Sequence, residues 1–168
     1  MANRASYAIL DQHVRNAQRS GKFTDGTKIS YKGDNEHGFI VQNNGIFEVQ
    51  VKKQKIFKCK DGREIITTYF NINAFMGHAG GHTHPKGAES YPGPRDGDFA
   101  KALFKKGTIS YLISPKAAYA VEWDGNRYLI RNLTSKGVSE RKKAKIIKQW
   151  MKQKPKGKGL SDRDFVCD

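Results

Sequence analysis

Apolar residues Ala5, Ala8, Ile9 and Ala17 recur at helical spacing, with His13 at the border of the stripe, and Ser20-Gly21 follows. This predicts a short amphipathic first helix. The period then shortens. Asn43-Asn44-Gly45 between Phe39–Val41 and Ile46–Val51, and Asp61-Gly62 between Lys55–Cys59 and Glu64–Phe70, predict two hairpins. Ile72–Phe75 and a Gly-rich stretch from Gly77 to Gly81 lead to His82 and His84, then to a Pro/Gly loop from Pro85 to Pro94. Asp96 to Lys106 is predicted helical, with Ala100, Leu103 and Phe104 on one face and Gly107 just past its end. Strands Ile109–Ile113, Ala118–Trp123 and Arg127–Arg131 form a meander, the last two joined by Asp124-Gly125-Asn126. A closing helix from Ser139 to Gln153 carries Ala144, Ile147, Trp150 and Met151 as its apolar stripe, and a loosely ordered tail follows from Lys154. The pattern predicts an α+β single domain: a mixed, largely antiparallel sheet with an N-terminal helix, a helix after the histidine pair and a C-terminal helix. The domain proper spans 1–135, and 136–168 is a basic helix and tail packed on it.

Composition narrows the partners. The 168 residues suffice for one core, and 31 Lys+Arg against 16 Asp+Glu leave a net charge of +15. Such a field favours nucleic acid, an anionic cell envelope or an acidic protein. Between Lys136 and Lys158 the one acid is Glu140, so Arg141, Lys142, Lys145, Lys148 and Lys152 are candidate polyanion contacts. With only two cysteines, Cys59 and Cys167, no disulfide framework can be read from the sequence. No apolar run is long enough for a signal peptide or a membrane span, so the expectation is synthesis in the cytosol, with any export by a route that cleaves no signal.

The sharpest chemistry is His82-Thr83-His84-Pro85. At strand period the two imidazoles project to one side and can grip one metal ion. An aspartate at the start of the following helix, Asp98 or alternatively Asp96, would complete three protein ligands and leave a position for water, the pattern of a catalytic zinc site. Histidine and carboxylate ligands without a nearby thiolate suit Zn²⁺.

His82-Thr83-His84-Pro85 followed by Pro92-Gly93-Pro94-Arg95-Asp96-Gly97-Asp98 resembles the JAMM motif of JAB/MPN metallopeptidases: His-x-His-Pro, a short loop, then Pro-Ser-x-x-Asp. The resemblance covers about Ala5 to Arg131 and matches Asp98 to the metal-binding aspartate. It also implies an upstream general base, and Glu36-His37-Gly38-Phe39-Ile40 is similar to the family's glutamate segment, which makes Glu36 the candidate. Arg95 then stands where the family has a serine that steadies the oxyanion; a guanidinium could serve electrostatically. With the alignment slipped by two, Gly93 takes the serine position and Asp96 becomes the ligand. A missing serine would also fit a weakened enzyme. His78, four residues before His82, is a second-shell candidate, and His13 and His37 are read as ordinary polar residues.

The resemblance thus implies a zinc-dependent hydrolase of peptide or isopeptide bonds, similar to JAB domains of bacterial polymorphic and Rhs-type toxins. Its expected partners are a protein or peptide substrate and an acidic immunity protein. A JAB-like module that binds nucleic acid or another polyanion through its basic surface is the alternative, and peptidoglycan stem peptides are a further substrate class.

Overall fold

The computed structural model describes residues 4–32, 36–70, 75, 79–84, 91–104 and 108–152. Three helices, α1 (Arg4–Ser20), α2 (Pro94–Phe104) and α3 (Glu140–Lys152), accompany eight strands among these residues. The strands are β1 (Gly38–Gln42), β2 (Gly45–Val49), β3 (Val51–Lys58), β4 (Glu64–Phe70), β5 (Ala79–Thr83), β6 (Ser110–Ile113), β7 (Ala118–Trp123) and β8 (Tyr128–Asn132). Six of them form one open sheet in the order β2-β1-β5-β6-β7-β8, and β3 and β4 pair as a separate hairpin. All neighbours run antiparallel except β5 and β6, whose parallel pairing is bridged by the α2 crossover. The fold is therefore α+β with a mixed, mostly antiparallel sheet.

Period-two alternation divides the strand residues between two faces. Phe39, Val41, Tyr111, Ile113, Ala118 and Ala120 meet Leu10, Val14 and Ala17 of α1. Leu112, Tyr119, Val121, Tyr128 and Ile130 meet Ala100 of α2 and Ile146 and Trp150 of α3. β6 is buried along its whole length, which is why Ser110–Ile113 carries no polar/apolar alternation.

The N-terminal face is pinned by charge. Arg131 on β8 donates to Asp11 on α1 at 2.7 Å and to Glu122 on β7 at 3.0 Å, while the Tyr111 hydroxyl donates to Asp11 at 2.7 Å. Burial, reinforced by Asp11, pushes the Tyr111 phenol well above its ordinary range, so it stays a donor. On the other face Trp150 is the anchor. Its ring packs edge-on against Tyr128 at 5.0 Å, and a Cβ on Gly97 would come within 2.7 Å of it.

One expectation is refined and one corrected. Strand β5 runs through Gly80 and Gly81, part of the Gly-rich stretch that leads to the histidines. A Cβ at Gly80 would lie 2.2 Å from the Phe75 ring and one at Gly81 1.9 Å from the Tyr111 carbonyl oxygen, so close packing, not turn formation, explains both glycines. In α3 the buried stripe is Lys143, Ile146 and Trp150, with Ile147 partly covered, whereas Ala144 and Met151 are exposed. Lys143 can be buried because its ammonium bonds Glu140 at 2.7 Å. Ile72 and the tail from Lys154 lie outside the described residues. No helix among the described residues is long and apolar enough to cross a membrane.

Gly81→Ala is expected to cost more than about 3 kcal/mol in urea denaturation, since backbone cannot yield as a side chain can. Gly62→Ala, at φ 90° with open space around it, should cost only about 1–2 kcal/mol. Asp11→Ala leaves the buried Tyr111 hydroxyl unpaired and Arg131 with Glu122 alone, and should lower stability by about 2–3 kcal/mol in the same measurement.

Candidate metal centre

His82 lies in β5 opposite Gly38 of β1 and Leu112 of β6, and His84 is one residue past the strand end, its N–H bonded to the Ile113 carbonyl at 2.8 Å. Two residues apart, the rings share a side of the sheet, with centroids 5.3 Å from each other, and both side chains are almost completely buried. An aromatic wall orients them. Phe75 occupies the space that Gly80 leaves, meets Phe99 of α2 edge-on at 5.4 Å, and Phe99 meets His82 edge-on at 5.3 Å.

The carboxylate that reaches the histidines is Asp96. Its Oδ1 lies 2.6 Å from His82 Nε2 and its Oδ2 3.4 Å from His84 Nε2. Helix α2 begins with Pro94, so Gly93 is the N-cap and Asp96 the third helical residue, a position from which a side chain folds back over the helix start. There Asp96 accepts the Gly93 N–H, and the Asp96 N–H bonds the Gly93 carbonyl at 3.1 Å. Burial alone would raise its pKa, but the charges of His84 and then His82 overcome this and hold the carboxyl below the usual carboxylate range. Asp98, two residues on, makes no ion pair with either histidine; burial first and then its charge push the Tyr128 phenol up to about 12. The geometry thus brings Asp96, the alternative ligand, to the histidines in place of Asp98.

Glu36 comes to the same place. One ligand atom each from Glu36, His82 and His84 lies within 4.8 Å of the others, a group that could hold a metal ion. Thr83, between the two histidines and fully buried, fixes the backbone beside Glu36: its Oγ1 accepts the His37 N–H at 2.9 Å and its own N–H bonds the His37 carbonyl at 2.9 Å. The His37 side chain is held as well. Its Nδ1 bonds Glu48 of β2, its Nε2 accepts the Ser30 N–H at 3.3 Å, and Phe23 packs against its ring at 6.0 Å. This network selects the Nδ1–H tautomer.

His37 was read from sequence as an ordinary polar residue; it braces the strand entry that carries Glu36. Its partners lie eleven residues ahead and seven behind, with no motif joining them. His13 does fasten structure, its Nε2 lying 2.9 Å from the Asn43 carbonyl in the β1–β2 turn. His78 and the Arg95 side chain lie outside the described residues. Arg141, Lys142, Lys145, Lys148 and Lys152 all sit exposed on α3, away from the sheet.

The donor set fits a divalent cation. A nearly buried carboxylate faces two imidazoles, a second carboxylate stands nearby, and a cation among them would offset the cost of burying negative charge. No known protein family, curated protein or solved structure matches the chain.

Asp96→Ala should weaken Zn²⁺ binding at least tenfold in competition with a fluorescent chelator, and His82→Ala should do the same. Asp98→Asn should bind within about twofold of the unaltered chain, since it removes no ligand. Equal losses for the two aspartates would show that the helix start is arranged otherwise.

Proposed function

We propose that the chain is a zinc-dependent hydrolase of peptide or isopeptide bonds, of the kind its motifs resemble in JAB/MPN metallopeptidases. The observation that carries this reading is the convergence of Glu36, His82 and His84 within 4.8 Å, with Asp96 on both histidines. These residues come from three separated segments, and their order along the chain is that of the JAMM pattern. Surface histidines without a role would have no reason to be buried facing a carboxylate.

His82, His84 and Asp96 would hold the metal, and Glu36 stands beside them. A bound Zn²⁺ would supply a Lewis acid and make water acidic enough to ionise near neutral pH. Glu36 is then the general base: it takes the proton of the attacking water and returns it to the departing amine, so that one water is consumed for each C–N bond broken. The wall of Phe75 and Phe99 behind His82 excludes solvent from one side and keeps the imidazole oriented. Arg95 is in the first turn of α2, and its proposed role at the oxyanion rests on sequence position alone. The same resemblance suggests a toxin or effector module with an acidic immunity protein as its inhibitor.

The test uses the zinc-loaded full chain with isopeptide-linked, linear and peptidoglycan stem peptides, followed by mass spectrometry. Glu36→Gln should retain bound zinc and lose about 10²–10⁴-fold in rate. Cleavage that persists at full rate in Glu36→Gln, or after chelation, would sink the reading.

A further inference from the structure

The net charge of the chain is not spread evenly once local partners are taken into account. Asp11 and Glu122 are occupied by Arg131, Asp61 by Arg63, Asp124 by Arg127 and Glu140 by Lys143. On the β3–β4 hairpin Lys53, Lys55, Lys58 and Arg63 each have an interaction partner. Helix α3 is different. Among the described residues Arg141, Lys145, Lys148 and Lys152 make no ion pair, and all four are exposed.

Their spacing puts them together. At about 100° per residue, positions 141, 145, 148 and 152 fall within about 60° of one another and span roughly 16 Å of helix axis. Buried Lys143, Ile146 and Trp150 lie on the opposite side, so the four cations point straight away from the protein. Their neighbours on that face are Ala144 and Gln149, with exposed Met151 at its edge, and none of these neutralises them. Like charges three and four residues apart destabilise a helix by about 0.2–0.5 kcal/mol per pair. No acidic residue between Arg141 and Lys152 relieves this repulsion.

The stripe is also rigid and well placed. Trp150 locks α3 onto α2 at Gly97, and Lys142, flanking the stripe, lies with its ammonium 4.5 Å over the ring of Tyr91, five residues before Asp96. The cations therefore form a straight, fixed row beside the segment that enters the metal centre.

We propose that the outward face of α3 binds the phosphodiester backbone of nucleic acid without reading its bases. Lysine point charges in a row match a repeating phosphate chain and carry no base-edge recognition. A protein partner would call for an apolar or aromatic anchor among the charges, and lysine is depleted at such interfaces. This inference goes beyond the hydrolase reading and does not depend on it.

The experiment measures fluorescence anisotropy of labelled 20-nucleotide single strands and 20-base-pair duplexes with the full chain over a range of salt concentrations. Four phosphate contacts predict a slope of log K against log salt of about −4 for duplex and about −3 for single strand, and the lower Kd at equal salt identifies the form preferred. Lys145→Gln/Lys148→Gln should weaken binding roughly tenfold or more and make the slope shallower by about 2. A control of equal charge, Lys22→Gln/Lys28→Gln, should stay within about twofold. Thermal midpoints verify folding, and Arg141→Gln/Lys152→Gln provides a second stripe variant should the first fail to fold. Unchanged affinity and slope in a folded stripe variant would overturn the proposal. So would an equal loss in the control, or displacement of the nucleic acid by polyglutamate at equal charge concentration.

Discussion

Strand β5 occupies the middle of the six-stranded sheet, covered on both faces, and the site depends on how little side chain it carries there. Gly80 leaves room for Phe75, and Gly81 lets the strand approach the Tyr111 carbonyl. Only after these two positions does the strand bear large side chains, and the first is His82. The same absence of side chains that brings β5 close to β6 builds the aromatic support of its first histidine. Because β5 and β6 run parallel, the chain must cross between them, and the crossover helix α2 starts at the strand end where His84 emerges. Asp96 meets the histidines as a result of that topology.

Much of this architecture is legible in the sequence because its signals are local. Asn-Gly and Asp-Gly turns, helical spacing in α1 and the apolar runs of the β6–β8 meander each specify a short segment without reference to the rest. Strand β5 is not legible in that way. Glycine has poor strand propensity, and what favours it at 80 and 81 is contact with Phe75, Phe39 and Tyr111, residues that the one-dimensional pattern does not bring together. The stripe of α3 fails for a related reason. Ala144 and Met151 look apolar, yet Lys143 takes an inward place because Glu140, one turn back, satisfies its charge.

The candidate site was legible in its histidines and in Glu36, and less so in its aspartate. His-x-His at a strand end needs period two alone to put both rings on one side. Choosing between Asp96 and Asp98 needs the helix start, and that is set by Pro94 and the Gly93 cap rather than by the first acidic residue. Two residues, about 200° of helix rotation, separate a side chain that folds back over the N-terminus from one whose charge is felt by Tyr128. At that helix end the macrodipole also favours a negative charge, so Asp96 is stabilised by the backbone as well as by the histidines. His37 was not legible at all, since its bracing of Glu36 runs through Thr83, Glu48 and Ser30 from three other segments.

Charge ties these features together. The chain has about half as many acids as bases, and those that the structure describes are largely committed: Asp11 and Glu122 hold α1 to the sheet, Glu48 steadies His37, and Glu140 lets Lys143 go inward. Glu36 and Asp96 are reserved for the candidate metal centre. Few acids remain to balance the surface, so the positive field is a consequence of how the fold spends its carboxylates. Uncompensated cations are tolerable where water reaches them and costly where they crowd one another. The outward row on α3 is the place where they crowd, on a helix already immobilised by Trp150. Arranging them so costs the isolated chain stability, and an anionic partner is what would return it.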